Sequence, residues 1–178
     1  RVPAVFSSMP VRLFPNASVF GMDISQNAIA LGKRRYKKIK FILSDAESKF
    51  PFNNNFFDLI ISGEHIEHLK DVDTYLAEIN RVLKPGGKLR IAMPNLGYLI
   101  DLYRNDKSEV QLKEIKRIVD MVYPDIKIYQ DAFVINNFFK NWGHKFIYDF
   151  KLLKELMEIT GFTNVKQCEV GESDDKNL

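Results

Sequence analysis

Apolar residues along the chain follow two periods, which predict strands and helices in alternation. Residues 56–61 form a short apolar run, the composition of a strand that is buried on both faces of a sheet. Residues 71–83 carry an apolar side chain at every third or fourth position, which predicts a helix. The sequence Lys-Pro-Gly-Gly at 84–87 ends that helix, and residues 88–93 predict the next strand. A strand, a helix and a strand in this order make a right-handed parallel crossover.

The same alternation continues on both sides of this unit. Upstream, residues 17–24 and 39–43 predict two strands, separated by a helix over 26–36 with Ser25 as its N-cap. Downstream, the pattern predicts helices over 96–105, 108–122 and 149–160, an aromatic-rich segment over 131–142 and a last strand over 162–170. The order of the elements therefore predicts an α/β protein with a mostly parallel sheet.

Acidic residues stand at the ends of two predicted strands. Asp23 ends the strand over 17–24, and Asp45 follows the strand over 39–43. An acid at the end of the second strand binds ribose hydroxyls in dinucleotide-binding folds, where ligands lie beyond the carboxyl ends of the strands. The alternative for Asp23 is a carboxylate stabilised only by the dipole of the following helix. The alternative for Asp45 is an ordinary Asx turn.

Four stretches, in order and at matching spacing, resemble the class I S-adenosylmethionine-dependent methyltransferases, in particular the methyltransferase-11/12-like members. They are VFGMDIS, FILSDAESKFPF, FPFNNNFFDLIISGEHIEHL with INRVLKPGGKLRIAMPN, and GHKFIYDFKLLKELMEITGFTNV. The resemblance covers the chain from Asn16 to about Val170 and implies a three-layer, Rossmann-like α/β fold. The family's first motif is a glycine-rich turn, and the corresponding residues 4–13 contain no glycine. The first and last strands are therefore expected to be absent or altered.

The resemblance implies S-adenosylmethionine as cofactor and S-adenosylhomocysteine as product. The cofactor-binding residues that it implies are Asp23, Ile24, Asp45, Ala46, Ser62, Gly63, Glu64 and His65. The residues that it implies on the substrate side are His68, Asn95 and Tyr148. His144 precedes the last predicted helix and is the candidate catalytic residue, because a neutral imidazole there could take a proton from an acceptor hydroxyl. The alternative is a structural histidine whose hydrogen bonds are satisfied.

The whole chain, residues 1–178, is expected to form one methyltransferase-like domain with a helical and aromatic insertion at about 96–147. In the family such insertions often cover the acceptor site; the alternative is that these aromatic side chains only cover the sheet. Residues 2–6 are the candidate for the central strand, because an empty central position would leave backbone groups of its neighbours unpaired. Another segment, another chain or residues beyond this sequence are the alternatives.

The sequence Glu-His-Ile-Glu-His at 64–68 raises the question of a metal site, since two histidines and two glutamates recur at a spacing of three. The zinc-protease order His-Glu-x-x-His is different from this one. From the sequence we therefore predict that no metal is bound.

Composition narrows the classes of partner. The net charge of +3 is too small to indicate nucleic acid, and the basic run at 33–38 contains a single aromatic residue, which is thin support for RNA binding. No apolar run approaches the roughly 20 residues of a membrane span, and no secretion signal opens the sequence. With one cysteine, Cys168, the chain is expected to be cytoplasmic. We expect a small-molecule partner and no membrane; a homodimer through an incomplete sheet or through the insertion is compatible with the pattern.

The expected activity is methyl transfer from S-adenosylmethionine to a small-molecule or glycan-type acceptor by in-line displacement. Such a reaction depends mainly on aligning the nucleophile with the methyl–sulfur axis and on excluding water. A truncated or degenerate methyltransferase-like binding module without activity is the alternative.

Overall fold

The computed structural model describes residues 17–169 and 171–173, and its elements follow the predicted alternation. The strands are β1 (Val19–Asp23), β2 (Ile39–Leu43), β3 (Phe57–Gly63) and β4 (Leu83–Ala92). The helices are α1 (Gln26–Arg35), α2 (Val72–Val82), α3 (Leu96–Leu102), α4 (Glu109–Val122), α5 (Asp131–Lys140) and α6 (Phe150–Ile159), with a 3₁₀ turn at Ile66–His68. Among these helices, none has both the length and the hydropathy that a membrane span requires.

The strands pair in parallel, as the crossover pattern predicts. β1 lies beside β2, with Asp23 opposite Leu43 at the carboxyl end, and β3 lies beside β4, with Gly63 opposite Ala92. Within the described residues these pairs form two separate two-stranded sheets. The prediction that residues 2–6 fill the central strand position lies outside the described residues.

Aromatic rings bring the two strand pairs together. The ring of Phe20 on β1 makes edge-on contacts with three phenylalanine rings at or just before the start of β3, at centroid distances of 5.5, 5.6 and 5.7 Å. The three are Phe52, Phe56 and Phe57. Edge-to-face pairs of this kind add stability beyond the area that they bury. The contact lies near the amino ends of β1 and β3, so it joins the two pairs at the edge opposite to the strand tips.

The main hydrophobic core lies between β3–β4 and the helices α2 and α6. Helix α2 begins after Asp71, whose side chain accepts from the backbone N–H of Thr74, and it buries Leu76, Ile79 and Val82. Helix α6 adds Leu153 and Met157 to the same core. Since the apolar side chains of α2 share one face, their burial against the sheet stabilises the helix that follows the tip of β3.

The segment after β4 has a second, smaller core. Helices α4 and α5 pack against each other around buried aliphatic side chains. The buried residues are Leu102, Ile115, Ile118, Val119 and Val134, and Tyr123, Phe133 and Phe138 pack against them. Ser108 begins α4 with a capping box: its hydroxyl accepts from the backbone N–H of Gln111, and the side chain of Gln111 accepts from the backbone N–H of Ser108. The aromatic-rich stretch predicted at 131–142 is therefore mostly the helix α5.

Two predicted boundaries need correction. The strand predicted at 162–170 is wrong for residues 162–169, which form no ladder, because within the described residues no neighbouring strand pairs with them. Asn164 adopts a φ of +57° there, which interrupts an extended conformation. The strand predicted at 88–93 begins earlier, since Leu83 already pairs with Phe57 across a register shift.

Gly87 lies in the irregular start of β4, where a side chain does not fit. An added Cβ would lie 2.9 Å from the carbonyl oxygen of Lys84 and 3.2 Å from that of Phe57. We expect Gly87→Ala to lower the free energy of unfolding by about 1–3 kcal/mol, as overpacking against rigid groups does. Urea unfolding measures this effect. Gly63→Ala is the control, because its Cβ would meet nothing within 4 Å; an equal loss in both variants would contradict the steric argument.

Candidate functional site

Asp23 lies where β1 turns into α1. Its Oδ1 accepts a hydrogen bond of 2.7 Å from the backbone N–H of Ser25, and the Ser25 hydroxyl in turn accepts from the N–H of Ala28 at 3.3 Å. This N-cap begins α1 directly after the strand tip. The second carboxylate oxygen of Asp23 is left for another donor. Ile24 beside it is 62% exposed, which is unusual for an isoleucine at a strand end.

Asp45 occupies the equivalent position after β2. Its Oδ1 accepts from the N–H of Glu47 at 2.9 Å, which is an Asx turn, and Ala46 between them is buried in the main core. A backbone hydrogen bond of 3.0 Å from Ser44 to the carbonyl of Asp23 joins the tips of β1 and β2. The two acidic residues thus follow neighbouring, directly connected strand ends.

Glu47 connects this loop to the start of α2. Its Oε1 accepts from the backbone N–H groups of Lys70 and Asp71, at 2.6 and 2.7 Å. Two charge-assisted hydrogen bonds to one oxygen hold the loop after β2 against the loop after β3. The loops that follow β2 and β3 are therefore held side by side.

The tip of β3 is partly closed and partly open. The Ser62 hydroxyl accepts a 2.8 Å hydrogen bond from the phenol of Tyr75, and both residues are buried. Burial raises the pKa of Tyr75 to about 12, so the phenol stays protonated and acts as the donor. Among residues 17–169 and 171–173, no atom lies within 4 Å of the position that a Cβ of Gly63 would take. Glu64 follows with a φ of +49°, a left-handed conformation that is costly for a residue with a side chain.

His65 connects the strand tips electrostatically. Burial lowers the pKa of its imidazole, and the neighbouring His68 acts in the same direction. The carboxylates of Asp23, Glu47 and Asp45 act against this shift. Together with the hydrogen bonds between the loops, this indicates that the ends of β1, β2 and β3 lie side by side.

A second group of side chains lies in and opposite the 3₁₀ turn. Glu67 is fully buried, and neither of its carboxylate oxygens has a hydrogen-bond partner among the described residues. One ligand atom from each of Glu67, His68 and His144 lies within 4.8 Å of the others. The Nε2 of His68 is 3.8 Å from the Oε1 of Glu67, and the two imidazole rings are 4.9 Å apart. We call these three residues the Glu67 cluster.

The loop that carries His144 is fixed to the turn by the backbone. The N–H groups of Lys145 and Phe146 both donate to the carbonyl of Glu67, at 2.6 and 3.2 Å. The Nδ1 of His144 lies 2.6 Å from the carbonyl oxygen of Phe138 on α5. A carbonyl can only accept, so Nδ1 carries the proton and the Nε2 of the neutral ring keeps its lone pair.

Burial dominates the titration of this cluster. It raises the pKa of Glu67 to about 7, and the nearby Glu64 shifts it in the same direction. Burial lowers the pKa of His68, so this imidazole is mainly neutral at neutral pH. A weakly solvated carboxylate beside a neutral imidazole can accept a proton or bind a cation.

The structure brings some of the predicted site residues together and separates others. Asp23, Asp45 and His65 follow the ends of three strands whose loops are joined by hydrogen bonds, and the ring of His68 contacts that of His144. Asn95 caps α3, with its Oδ1 accepting from the N–H groups of Gly97 and Tyr98 at 2.7 and 3.4 Å. Tyr148 is buried in the main core. Their predicted contacts with an acceptor remain predictions.

Glu67 is the residue that the sequence analysis left out of the site. Its signal was its position between Ile66 and Leu69, both of which are buried. A charged residue inside an apolar turn is rarely buried without a partner. Its unpaired state depends on the distant loop at 143–146, which the local sequence does not reveal.

Comparisons with known proteins give one consistent result. A family model described as "Methyltransferase domain" matches residues 4–91. Phosphoethanolamine N-methyltransferase 2 of Caenorhabditis elegans is 34% identical over 112 residues, which are 58% of this chain and 25% of that protein. A demethylmenaquinone methyltransferase of Lactococcus lactis subsp. lactis is 29% identical over 161 residues, or 85% of this chain and 58% of that protein. This chain thus spans less than two thirds of these relatives.

Solved structures agree in fold. Phosphoethanolamine N-methyltransferase 2 of Haemonchus contortus, in complex with S-adenosyl-L-methionine, has a TM-score of 0.50 and 26% identity, covering 83% of this chain and 28% of that chain. A Thermotoga maritima protein described as a SAM-dependent methyltransferase and possible histamine N-methyltransferase has a TM-score of 0.56. It is 16% identical and covers 88% of this chain and 58% of that chain, which is a likeness of fold. The expected Rossmann-like α/β architecture is confirmed.

The buried carboxyl group of Glu67 makes stability depend on pH. The folded state raises its pKa from 4.5 to about 7, so between these values the folded protein binds more protons than the unfolded chain. The free energy of unfolding therefore falls as pH rises through this window, by up to about 3 kcal/mol. We expect Glu67→Gln, in buffer with EDTA, to have little effect near pH 4 and to be more stable than the native protein at pH 8.

Urea unfolding across this pH range measures the difference. Glu169→Gln is the matched control, because Glu169 is exposed and its replacement should leave the pH profile unchanged. A Glu67→Gln profile parallel to that of the native protein would contradict the raised pKa.

Proposed function

The chain belongs to the class I S-adenosylmethionine-dependent methyltransferase family, and on this premise we propose that it transfers a methyl group from S-adenosylmethionine to a small-molecule or glycan-type acceptor. The observation that supports the proposal is the joining of the strand tips: the N–H of Ser44 donates to the carbonyl of Asp23, and Glu47 holds the loop after β2 against the start of α2. Ligands of open α/β sheets bind at this edge.

The residues at the crevice fit an adenosine. The Oδ1 of Asp23 is used by Ser25, so the remaining oxygen is available to accept from ribose hydroxyls. Ile24 offers an exposed apolar surface next to it, suited to one face of the adenine ring. Asp45 likewise uses one oxygen in its turn and keeps one to accept from the adenine amino group, beside Ala46. These residues would hold the adenosine part of the cofactor.

The end of β3 fits the remaining part of the cofactor. Gly63 leaves open space where a side chain would reduce access, and Ser62, Glu64 and His65 border that space. When bound, S-adenosylmethionine supplies a methyl group on a sulfonium, which is an intrinsically good leaving group. The protein's own task is then to align the acceptor and to exclude water.

The Glu67 cluster favours an acceptor that must lose a proton. His144 was predicted from the sequence as a general base, and His68 as an acceptor-side residue; their rings are neighbours. A positioned base accelerates transfer to a hydroxyl or to a protonated amine. We therefore propose a hydroxyl or amine on the acceptor, facing His144.

Small acceptors are also favoured by what relatives act on. The names of two relatives refer to demethylmenaquinone and phosphoethanolamine, both small molecules. The insertion at about 96–147 is proposed to border the acceptor, since it carries His144 and holds its ring through the Phe138 carbonyl. The net charge of +3 gives little support to a nucleic-acid acceptor.

Cofactor binding is tested by isothermal titration with S-adenosylmethionine and S-adenosylhomocysteine. We expect Asp23→Ala and Asp23→Asn to weaken binding by about 10- to 100-fold, the loss typical of a hydrogen bond to a charged group. Asp23→Asn keeps an oxygen for the N–H of Ser25, so it separates the ribose contact from the N-cap. Asp58→Ala is the control, because Asp58 is exposed on β3 and pairs only with Lys84.

The outcome decides between two functions. Saturable binding that is weakened in both Asp23 variants and retained in Asp58→Ala supports the methyltransferase. A folded protein that gives no heat at high micromolar ligand would leave only a binding module without cofactor affinity. Unchanged affinity in Asp23→Ala would refute the ribose contact.

A further inference from the structure

We infer that Glu67, His68 and His144 bind a divalent transition-metal ion, with Zn²⁺ or Mn²⁺ as the ions that their donor atoms suit. One carboxylate and two imidazoles form a donor set that such ions accept. The inference replaces the prediction, made from the sequence alone, that no metal is bound. With an ion bound, His144 acts as its ligand; in the metal-free protein it remains the candidate base.

The unpaired carboxylate of Glu67 is the first argument. Its side chain is completely buried, and both oxygens lack a hydrogen-bond partner among the described residues. Burying an ionised carboxylate without a partner is strongly destabilising. A bound cation would satisfy both oxygens and stabilise the ionised form.

Distances within the cluster are the second argument. The 3.8 Å between the Nε2 of His68 and the Oε1 of Glu67 is too long for a hydrogen bond. A proton therefore does not join these two atoms. Ligand atoms around a tetrahedral zinc ion lie about 3.3 Å apart, since each lies about 2.0–2.1 Å from the metal. A small movement of side chains would bring the three donors, now within 4.8 Å of one another, to that separation.

The orientation of the imidazoles is the third argument. Metal-bound histidines usually donate the N–H of their other ring nitrogen to a carbonyl or carboxylate, which fixes the tautomer. His144 makes this contact with the carbonyl of Phe138, at 2.6 Å. The ring of His144 is thus held by the backbone, and its Nε2 is left for a ligand role.

The exposure of the cluster permits an ion to bind. The side chain of His68 is 34% exposed, so the cluster can be reached from solvent. Three protein ligands leave a coordination position open, as in catalytic zinc sites.

The catalytic consequence rests on the proposed function, whereas metal binding stands apart from it. An ion held by these three residues would lower the pKa of an acceptor hydroxyl that occupies its open coordination position. The acceptor hydroxyl then releases its proton to solvent, and an oxygen electron pair forms the bond to the methyl carbon. The carbon–sulfur bond breaks, and its electron pair remains on sulfur as neutral S-adenosylhomocysteine. The acceptor becomes a methyl ether, and one proton is released in each turnover.

Binding is tested by isothermal titration of the EDTA-treated and dialysed protein with Zn²⁺ and, separately, with Mn²⁺. The titrations use a Cys168→Ser background, because the exposed thiol of Cys168 could bind zinc by itself. We expect one equivalent of Zn²⁺ to bind. Glu67→Gln, His68→Ala and His144→Ala should each weaken binding by more than the roughly 10- to 100-fold that loss of an outer contact costs.

His65→Ala is the matched control. It removes the only other histidine of the chain, three positions before His68, and should leave zinc affinity within a few fold. Circular dichroism of each variant checks that it folds, and His144→Gln replaces any variant that does not. Loss of binding in the three cluster variants, with retention in His65→Ala, supports the site.

Two results would overturn the inference. One is the absence of saturable binding of either ion at high micromolar concentration. The other is binding that persists equally in all three cluster variants. Metal binding without affinity for S-adenosylmethionine would leave the site standing and refute the proposed function. Affinity for the cofactor without metal binding would do the reverse.

Discussion

The arrangement of the site depends on the hydrogen bonds that the backbone carbonyl of Glu67 accepts. It accepts from the backbone of Lys145 and Phe146, and so fixes the loop after the insertion to the turn that follows β3. Glu67 is fully buried, whereas the two donating residues, Lys145 and Phe146, are exposed. The cofactor crevice and the Glu67 cluster are therefore parts of one local structure, although the residues come from distant parts of the sequence.

The crevice itself follows from parallel pairing. Because β1 and β2 run in the same direction in register, Asp23 and the residues that follow Leu43 come to the same edge. The hydrogen bonds of Glu47 to the start of α2 then hold the β2 and β3 loops together. Acidic residues at positions 23 and 45 are thus a consequence of strand order, while their approach to His65 is a consequence of this loop contact.

The sequence predicted the elements whose signals are local. Helix α2 agrees within one residue, because its apolar period, the cap at Asp71 and the glycines after it all indicate the same boundaries. The strand predicted at 162–170 failed because an apolar run forms a strand only beside a partner, and the run itself cannot show whether one exists. Glu67 was considered as a metal ligand from its spacing, but its contact with His144 could not be predicted, because His144 lies far away along the chain.

A buried carboxylate without hydrogen bonds is a cost that folding alone does not explain. Local consistency is the rule in proteins, and exceptions tend to occur where function requires them. Here two exceptions lie close together, namely the burial of Glu67 and the left-handed backbone of Glu64. Ser62 and Tyr75, at the same strand end, satisfy each other completely. The fold can therefore pair buried polar groups at this strand end, and the Glu67 carboxylate differs from them in having no hydrogen-bond partner among the described residues. A ligand that binds to this carboxylate is the best explanation of that difference.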